Sequence, residues 1–400
     1  MGQKQYLLGR QEDGREGRLF VGRYLALDGS TGAEVFLDAL KPHAVVICGK
    51  RGYGKSHTLG VLAEEFARLP PGLRRNFAVI IIDTMGIFGG MARPASGEDA
   101  ARWGLSPAGV EVRCFAPEPF LGEMPPGASP FYIPTASLSP FDYCELLGVD
   151  PLSPHGAALV GGIVRLGRFS IASLLDEIAG SDAPPEVRSS LCGLLAMVSS
   201  WNLFSATATY DGLLAPGSIS VVDLSGYGHD AGVRSCAVAS LGRALYDVRV
   251  NARRREDGSD RHCGRKRETP LVWMMVDEAH LFAGGMAGRV LTNEWLRQGR
   301  QPGLSLVLAT QRPSALGFDV LSQADVLIAH RLTLRDDIEA LERARPVYVK
   351  EPLREAMARL GTAKGAAIVL DDATESYHVV RIRSRVSAHG GGEPEVYGAD

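Results

Sequence analysis

The sequence lacks the features that mark membrane proteins, secreted proteins and proteins that coat nucleic acid by bulk charge. No apolar run approaches the roughly 18 to 20 residues that a membrane helix needs. Residues 1–11 are polar and contain no apolar signal-peptide core. Positive charge is not in excess, because 43 Lys and Arg residues face 46 Asp and Glu residues. We therefore expect a cytoplasmic protein without a membrane segment, in which any contact with nucleic acid uses local basic elements.

Cysteine is scarce and shows no metal-binding spacing. The six cysteines are Cys48, Cys114, Cys144, Cys192, Cys236 and Cys263. None of them belongs to a C-x-x-C pair, and most lie in apolar surroundings. This distribution predicts buried free thiols of a cytosolic protein and argues against a zinc site.

What the sequence does contain is a complete phosphate-binding pattern. Residues 49–56 read G-K-R-G-Y-G-K-S and match G-x-x-x-x-G-K-[ST] without a gap. An apolar run at 44–48 leads into the pattern, and a helix-like stretch at 57–69 follows it. Such a strand–loop–helix directs several backbone N–H groups and a helix N-terminus at one anion. A glycine-rich turn can also merely join a strand to a helix, but the flanking elements favour a nucleotide site.

In a site of this kind Lys55 reaches the outer phosphates of a nucleoside triphosphate, and the Ser56 hydroxyl holds a Mg²⁺ ion. The residues that we predict to bind the nucleotide are Gly49, Gly52, Gly54, Lys55, Ser56 and His57.

A second pattern supplies two carboxylates. The apolar stretch at 271–276 ends in Asp277 and Glu278. At a sheet edge beside the phosphate-binding loop, Asp277 would orient Mg²⁺ and Glu278 would polarise the attacking water as a general base. Acidic pairs after strands are common, and a pair of solvated turn carboxylates is the alternative interpretation. The loop upstream favours the catalytic one.

Further polar residues surround the next apolar stretch, 304–310. Gln311 follows it and is our candidate to sense the γ-phosphate or the water, with a helix N-cap or turn role as the alternative. Arg297 and Arg300 precede it, and we expect them on the flank of the nucleotide site. In a ring of identical subunits such an Arg can stabilise charge on a neighbour's γ-phosphate, although a solvated Arg is the more common case.

The order of these elements predicts the fold class and the domain organisation. Near-continuous apolar strands separated by helices predict an α/β fold with a mostly parallel sheet that is covered on both faces. We divide the chain into a short N-terminal β element (1–42), a first part of the nucleotide-binding core (43–116), a Pro-rich loop and helical insertion (117–216), the rest of the core with a C-terminal β-hairpin (217–385) and a flexible tail (386–400).

The ordered motifs resemble the HerA branch of the HerA–FtsK ATPases over roughly residues 43–390. Besides the phosphate-binding loop, the matching segments are 82–86, 214–226, 276–280, 299–303, 309–314, 330–332 and 336–337. The resemblance implies a RecA-like P-loop NTPase core, a hexameric ring, and hydrolysis of ATP with Mg²⁺ at subunit interfaces. It also implies sequence-nonspecific translocation of double-stranded DNA through the ring. In it, Arg300 matches the position expected to act in trans.

The sequence departs from that family in two respects. Only residues 1–42 precede the core, whereas family members carry a substantial N-terminal β-barrel that helps to dock a nuclease. This difference puts a nuclease partner in question. Lys50, Arg51 and Tyr53 also stand in the phosphate-binding loop where small residues are usual, which could alter affinity for the phosphates.

Two segments are candidates for contact with DNA phosphates. Residues 251–268 hold seven basic and four acidic side chains. Their arginines could contact phosphates without reading bases, although a solvated linker is the interpretation that we favour. The glycine-rich segment 284–289 could face a ring channel, or it could be an ordinary flexible turn.

We therefore predict an ATPase that acts as a ring motor of HerA type, translocating on or unwinding double-stranded DNA with an effector or nuclease. The rival is a ring-forming NTPase that scaffolds or gates an effector, for instance in phage defence, without processive movement. A DEAH-type helicase, suggested by the letters at 277–280, fits poorly because Lys55 and Glu278 are too far apart and a second motor-domain motif set is missing. A conjugative coupling ATPase would need membrane segments.

Overall fold

A single sheet of 13 strands organises the computed structural model of the protein. The structure describes residues 5–11, 14, 16–26, 28–96, 99–228, 231–258, 268–344 and 347–391. The strands in this part of the chain are β1 (Gln5–Leu8), β2 (Arg18–Leu25), β3 (Thr31–Asp38), β4 (Ala44–Cys48), β5 (Phe77–Asp83), β6 (Arg113–Ala116), β7 (Ser129–Pro130), β8 (Ile133–Pro134), β9 (Phe204–Ser205), β10 (Ile219–Asp223), β11 (Leu271–Val276), β12 (Leu304–Thr310), β13 (Val326–His330), β14 (Ala366–Asp371) and β15 (Ser376–Ile382).

Helices cover both faces of the sheet. The α-helices of the described residues are α1 (Lys55–Arg68), α2 (Pro71–Arg74), α3 (Pro140–Leu146), α4 (Pro154–Leu166), α5 (Ile171–Ala179), α6 (Pro185–Ser200), α7 (Ala231–Gly258), α8 (Gly285–Arg289), α9 (Pro313–Leu316), α10 (Phe318–Gln323), α11 (Arg335–Arg343) and α12 (Leu353–Leu360). Short 3-10 turns lie at Gly89–Ala92, Ala101–Trp103, Glu118–Glu123, Thr135–Ser137, Asp211–Leu214, Ser225–Tyr227 and Ala279–Phe282, and a π-helical segment covers Val290–Leu296.

Parallel strands occupy one long portion of the sheet. The hydrogen-bonded order is β1-β3-β2-β15-β14-β13-β4-β12-β11-β5-β10-β6-β7, and β8 pairs separately with β9. Every pair from β13 to β7 is parallel. The pairs that join β13, β14, β15, β2 and β3 are antiparallel. The predicted mostly parallel α/β sheet and the predicted hairpin of β14 and β15 are therefore confirmed.

The central strands are apolar along their whole length because both faces of the sheet are buried. All residues of β4, β5 and β12 are buried, as is usual for parallel strands between two helical layers. Val45 and Ile47 of β4 pack in one core with Leu59 of α1. Val46 and Cys48 face the opposite core, which contains α7 and the helices of the insertion. Burial on both sides holds the strand that leads into the phosphate-binding loop.

The N-terminal β element is continuous with this sheet. β2 and β3 form the antiparallel hairpin that the sequence predicts, and β2 also pairs with β15 near the other end of the chain. The two strands approach so closely that a Cβ at Gly22 would lie 2.1 Å from the carbonyl oxygen of Arg381. The hairpin is therefore held by the same hydrogen-bond ladder as the core strands.

A chain of alternating charges, formed by Arg10, Asp38, His43 and Asp325, fixes the hairpin to the amino ends of β4 and β13. Arg10 Nη1 lies 3.0 Å from Asp38 Oδ1, and Asp38 Oδ2 lies 3.4 Å from His43 Nε2. His43 Nδ1 lies 2.7 Å from Asp325 Oδ2. Burial opposes protonation, but the hydrogen bonds to Asp325 and Asp38 raise the pKa of His43 to about 9. His43 thus carries a buried positive charge at neutral pH.

The chain after β15 packs against α1. The Glu64 carboxylate accepts hydrogen bonds from Arg383 Nη1 at 2.8 Å and from Arg385 Nε at 3.1 Å. It also accepts one from the Ser387 N–H at 2.9 Å. The side chains of Glu64, Arg383 and Arg385 are almost completely buried. The C-terminal segment is therefore joined to the nucleotide-binding helix.

Helices α3 to α6 form the predicted insertion. α5 and α6 lie within the segment 117–216 that was predicted to contain a helical insertion, and Pro184 and Pro185 stand at their junction. Within the described residues no single helix is long and apolar enough to cross a membrane. α4 and α5 meet that requirement of length and composition only as a pair, and the pair is bent by 120°.

Three predicted segments differ from the structure. The Pro-rich stretch 117–154, predicted as loop, contains α3, which begins at a capping box formed by Ser139 and Asp142. Residues 251–258 continue the long helix α7 instead of forming a loop, and residues 259–267 lie outside the described part of the chain. The flexible tail cannot begin at 386, because Val386 is 2% exposed and Ser387 is 1% exposed; residues 392–400 lie outside the described part.

The cysteines in the described residues are free thiols. Cys48, Cys114, Cys144 and Cys236 are buried, and Cys192 is half-buried. Cys263 lies outside the described residues.

We expect the stability of the protein to fall as the pH rises from about 6.5 to about 9, because of His43. A His pKa that folding raises stabilises the folded state fully below the unfolded pKa, and this contribution is lost as the pH rises through the folded pKa. The shift corresponds to about 3 kcal/mol. Urea unfolding at several pH values between these limits measures the decline in the free energy of unfolding.

The control for this prediction is a second histidine. His43→Gln should be less stable than wild type at the acidic end and should lack the decline, whereas His155→Gln, in the helical insertion, should keep it. An unchanged decline in His43→Gln would contradict the assignment.

Candidate active site

The phosphate-binding loop joins β4 to α1 through glycines with positive φ. Values of 155°, 79° and 115° are found at Gly49, Gly52 and Gly54. Residues with a Cβ rarely adopt such values. The Tyr53 N–H donates to the carbonyl oxygen of Lys50 at 3.3 Å, which closes a turn whose third residue needs a positive φ. α1 begins at Lys55, so the loop ends on a helix N-terminus, where backbone N–H groups are available to an anion.

His330, at the end of β13, supports the loop. A Cβ at Gly49 would lie 2.6 Å from the Cβ of His330, so a larger residue would displace the loop. His330 Nδ1 lies 3.0 Å from the carbonyl oxygen of Ala366, and Nε2 lies 2.8 Å from the Thr58 hydroxyl. Nδ1 is therefore the donor and Nε2 the acceptor. Burial lowers the pKa of His330 to about 4, so the ring stays neutral next to the phosphate site.

Ser56 and Asp277 meet at the carboxyl edge of the sheet. Ser56 lies in the first turn of α1, and Asp277 directly follows β11. Ser56 Oγ donates to the two carboxylate oxygens of Asp277 at 3.1 and 3.2 Å. Burial and then the charge of Glu278 raise the pKa of Asp277 to about 6, and the hydrogen bond from Ser56 opposes this rise. A hydroxyl and a carboxylate side by side fit Mg²⁺, which prefers hard oxygen ligands.

Glu278 adopts a strained backbone conformation beside Asp277. Its φ of 48° and ψ of 46° lie in the left-handed region, which costs a non-glycine residue on the order of 1–3 kcal/mol. Its side chain is 16% exposed. Burial raises the pKa of Glu278, while Lys55, the N–H of Gln311 and Arg51 lower it. A half-desolvated carboxyl group that faces cations is suited to act as a general base.

The end of β12 lies between the loop and the carboxylates. β12 pairs with β4 on one side and with β11 on the other. The Gly49 N–H donates to the carbonyl oxygen of Thr310 at 3.2 Å, and Thr310 Oγ1 lies 3.3 Å from His280 Nδ1. The N–H of Gln311 contacts the Glu278 carboxyl group. The structure thus places Gln311 beside Glu278, and its sensing role stays a prediction.

Arg300 lies at the opposite edge of the sheet from the phosphate-binding loop of its own subunit. Arg300 Nη2 is 3.5 Å from Asp325 Oδ2, and Asp325 Oδ1 accepts the N–H of Ala44 at the start of β4. The five residues of β4 separate the two edges by about 15 Å. The expectation that Arg297 and Arg300 lie on the flank of the nucleotide site is therefore wrong for the site within the same chain. Arg297 pairs with Asp319 at 3.0 Å.

The side chain of His57 also takes a different direction from the one expected. Its Nε2 lies 2.9 Å from the carbonyl oxygen of Arg383, and its ring centre lies 6.0 Å from that of His389. Burial lowers the pKa of His57, which favours the neutral ring. The predicted contribution of His57 to nucleotide binding is thus limited to its backbone N–H near the start of α1.

The glycine-rich segment 284–289 is not an open loop. Gly285–Arg289 forms the short helix α8, in which Met286, Ala287 and Gly288 are buried. Arg289 Nη2 pairs with the Glu145 carboxylate of α3. The predictions of an open loop and of a flexible turn are therefore wrong, and the position of this segment at a ring channel stays a prediction.

Fold and site together define a P-loop ATPase. The loop between β4 and α1 carries the glycines, the lysine and the serine of a phosphate site, and the next strand but one in the sheet supplies the buried Asp277 and the adjoining Glu278. Comparisons with known proteins show which branch of this class the chain is similar to.

The family described as "Helicase HerA, central domain" matches residues 19–178. The DNA double-strand break repair helicase HerA of Pyrococcus furiosus is 26% identical over 225 residues, which are 51% of this chain and 38% of that protein. A HerA relative from Methanocaldococcus jannaschii is 31% identical over 140 residues, which are 32% of this chain and 26% of the relative. The match thus spans well under half the length of these curated relatives. Over the matched residues the chain is similar to HerA-like ATPases of the HerA–FtsK superfamily.

Solved structures agree on the fold. VirB4 of Thermoanaerobacter pseudethanolicus superposes with a TM-score of 0.60 at 15% identity, covering 94% of this chain and 98% of that chain. The plasmid coupling protein TrwB in complex with ADP and Mg²⁺ superposes with a TM-score of 0.52 at 14% identity, covering 86% of each chain. At these identities the likeness establishes the fold alone.

Sequence reasoning did not find the residues that support the site. The segment 330–332 matches the family, but only the fold shows that His330 lies against Gly49. Thr58 carries no distinguishing pattern in the sequence, and the pattern at 276–280 does not assign a role to His280. Each becomes meaningful through a hydrogen bond to a residue far away in the chain, for which the sequence has no local signal.

Ser56→Ala should weaken Mg²⁺-dependent nucleotide binding. The change removes one predicted Mg²⁺ ligand and the hydrogen bond to Asp277, but it leaves Lys55 and the backbone N–H groups in place. We expect the affinity for ADP with Mg²⁺ to fall roughly 10- to 100-fold. Calorimetric titrations with Mg²⁺ and with EDTA measure the difference.

Binding in EDTA should change much less, and Ser173→Ala, in the exposed capping box of α5, should bind as wild type does in both buffers. An equal loss of affinity for Ser56→Ala with and without Mg²⁺ would show that Ser56 does not act through the metal.

Proposed function

We propose that the chain is a subunit of an ATP-hydrolysing ring motor of the HerA type, which translocates on or unwinds double-stranded DNA together with an effector or nuclease. The contact of Ser56 with Asp277, with Glu278 at its side, is the observation that carries the proposal. It joins the phosphate-binding loop to a metal-binding carboxylate and to a candidate base at one edge of the sheet.

Each side chain has one task in the proposed hydrolysis. Lys55 binds the β- and γ-phosphate oxygens, and Ser56 and Asp277 hold Mg²⁺, which neutralises phosphate charge when bound. Glu278 takes a proton from the water that attacks the γ-phosphorus. The bond from that phosphorus to the bridging oxygen breaks, and ADP and phosphate are released. Gln311 orients the water or senses the γ-phosphate.

Arg300 completes the site of the neighbouring subunit in this proposal. Its side chain is 58% exposed, and it lies too far from its own loop to serve it. A surface Arg in a ring can instead reach the γ-phosphate of the next subunit and stabilise charge in the transition state. A site that needs a residue from the next subunit requires a homo-oligomer. The family resemblance implies that this homo-oligomer is a hexamer.

A second candidate is a ring-forming NTPase that scaffolds or gates a partner effector without processive movement on DNA. Two observations favour it. The chain has a net charge of −3 instead of a basic excess. Residues 285–289 form the short helix α8, so one of the two segments proposed to contact DNA is not an open loop.

Double-stranded DNA should stimulate ATP turnover several-fold at low ionic strength if the chain is a motor. The stimulation should weaken as salt is added, because contacts to phosphates release counterions. Steady-state phosphate release with and without a duplex measures this, and a second duplex of unrelated sequence should act equally well. Turnover that does not respond to either duplex would favour the scaffold.

Glu278→Gln tests the proposed general base, since it keeps the shape of the side chain and removes its basicity. It should abolish turnover and retain ATP binding, whereas Glu177→Gln in the insertion should behave as wild type. Sustained turnover in Glu278→Gln would remove Glu278 as the base.

Arg300→Ala subunits should be inactive alone and should regain part of their turnover when mixed with Lys55→Ala subunits. In a mixed ring, the intact Arg300 of one variant can serve the intact phosphate-binding loop of the other. Phosphate release at several mixing ratios measures the recovery, and Arg297→Ala, which changes a neighbouring exposed Arg, should be active alone. Full activity of Arg300→Ala alone would rule out the role in trans.

A further inference from the structure

The backbone at Arg300 is held by a tight turn. The Gly303 N–H donates to the carbonyl oxygens of Gly299 at 3.2 Å and Arg300 at 3.3 Å. Arg249, which is completely buried, donates from Nε to the Pro302 carbonyl oxygen at 2.8 Å. Gly299 itself allows no side chain, because a Cβ there would lie 2.3 Å from the carbonyl oxygen of Trp295. The Cα of Arg300 is therefore fixed relative to α7 and β12.

The side chain of Arg300 meets a carboxylate that is itself immobilised. Asp325, whose side chain is 10% exposed, accepts hydrogen bonds at 2.7 Å both from His43 Nδ1 and from the N–H of Ala44. A buried carboxylate with two short hydrogen bonds from separate elements has little freedom to rotate. Arg300 contacts its outer side at 3.5 Å.

This geometry suits an arginine that acts on something outside its own subunit. A guanidinium carries five N–H donors in a rigid fork. One contact with Asp325 orients the fork and leaves most donors directed to solvent, as the 58% exposure of the side chain indicates. Arg297 pairs with Asp319, but both of those side chains are more than half exposed, so that pair is not anchored in the same way.

We propose that Asp325, held by His43 and by the backbone of Ala44, is a positioning residue that orients Arg300 for use at the neighbouring subunit. The proposal rests on the proposed role of Arg300 in trans. A pre-oriented Arg loses less conformational freedom when it engages a phosphate than a solvated one. Asp325 thereby contributes to hydrolysis in a site that it does not touch.

Asp325→Asn tests the proposal. The variant keeps an amide oxygen for the N–H of Ala44 but puts an NH₂ group where His43 and Arg300 need an acceptor. We expect kcat for ATP to fall roughly 10- to 100-fold, as for a misplaced catalytic group, with little change in KM. Mixing with Lys55→Ala subunits should restore part of the turnover, as for Arg300→Ala. Asp319→Asn, at the exposed Arg297 pair, is the matched control and should keep wild-type turnover.

The double variant Asp325→Asn with Arg300→Ala separates positioning from a general structural effect. If Asp325 acts through Arg300, the double variant turns over ATP no more slowly than Arg300→Ala alone. A slower double variant, or an Asp325→Asn variant with wild-type kcat, overturns the proposal. Asp325→Glu, which keeps the charge and shifts it by one methylene, replaces Asp325→Asn in the same cycle if thermal melting shows that Asn prevents folding.

Different outcomes overturn the role of Arg300 in trans and the positioning role of Asp325. An Arg300→Ala variant with wild-type turnover overturns the role in trans and the positioning role with it. A defective Arg300→Ala variant that Lys55→Ala subunits complement, next to an unimpaired Asp325→Asn variant, retains the former and overturns only the latter.

Discussion

The arrangement of the chain around the nucleotide-binding helix depends on the ion pairs and hydrogen bonds of the buried Glu64 carboxylate. Its two oxygens accept hydrogen bonds from Arg383, Arg385, the N–H of Val386, and the N–H and hydroxyl of Ser387. A charge out of water is tolerated only when its hydrogen-bonding capacity is filled in this way, and removal of one partner costs about 3–5 kcal/mol. Because Glu64 lies on α1 and its partners follow β15, the helix of the nucleotide site is joined to the segment that follows β15.

Several other features are arranged around that ion cluster. Gly60 of α1 leaves room for it, since a Cβ there would lie 2.6 Å from Arg385 Nη1. Arg383 also pairs with Glu65 at 2.8 Å and donates to the carbonyl oxygen of Phe20 in β2 at 3.2 Å. The N-terminal hairpin, the nucleotide-binding helix and the C-terminal segment therefore meet at one place. The cluster thus holds α1, which follows the phosphate-binding loop, and His330 packs against the loop itself.

Local patterns predict much of this fold and only part of the site. β4 and β12 are predicted to the residue, because a continuous apolar run between polar ends is a local signal. Asp277 and Gln311 can be placed near the loop because parallel strands end at the same edge of a sheet. The same rule puts Arg300, which precedes β12, at the other edge of the sheet. The prediction placed Arg300 beside the site only because it is close to Gln311 in sequence. The partners of Glu64, and Thr58 as a partner of His330, lie hundreds of residues away in the sequence, and no local pattern predicts them.

The continuity of the N-terminal hairpin with the sheet determines how the molecule comes apart. Chain ends commonly fray at almost no cost in free energy. Here β2 is bonded to β3 and to β15, and detaching the hairpin would separate the buried carboxylate of Asp38 from His43. Because the β2–β15 ladder and the Asp38–His43 pair join the hairpin to the core, we expect it to open together with the core instead of fraying by itself.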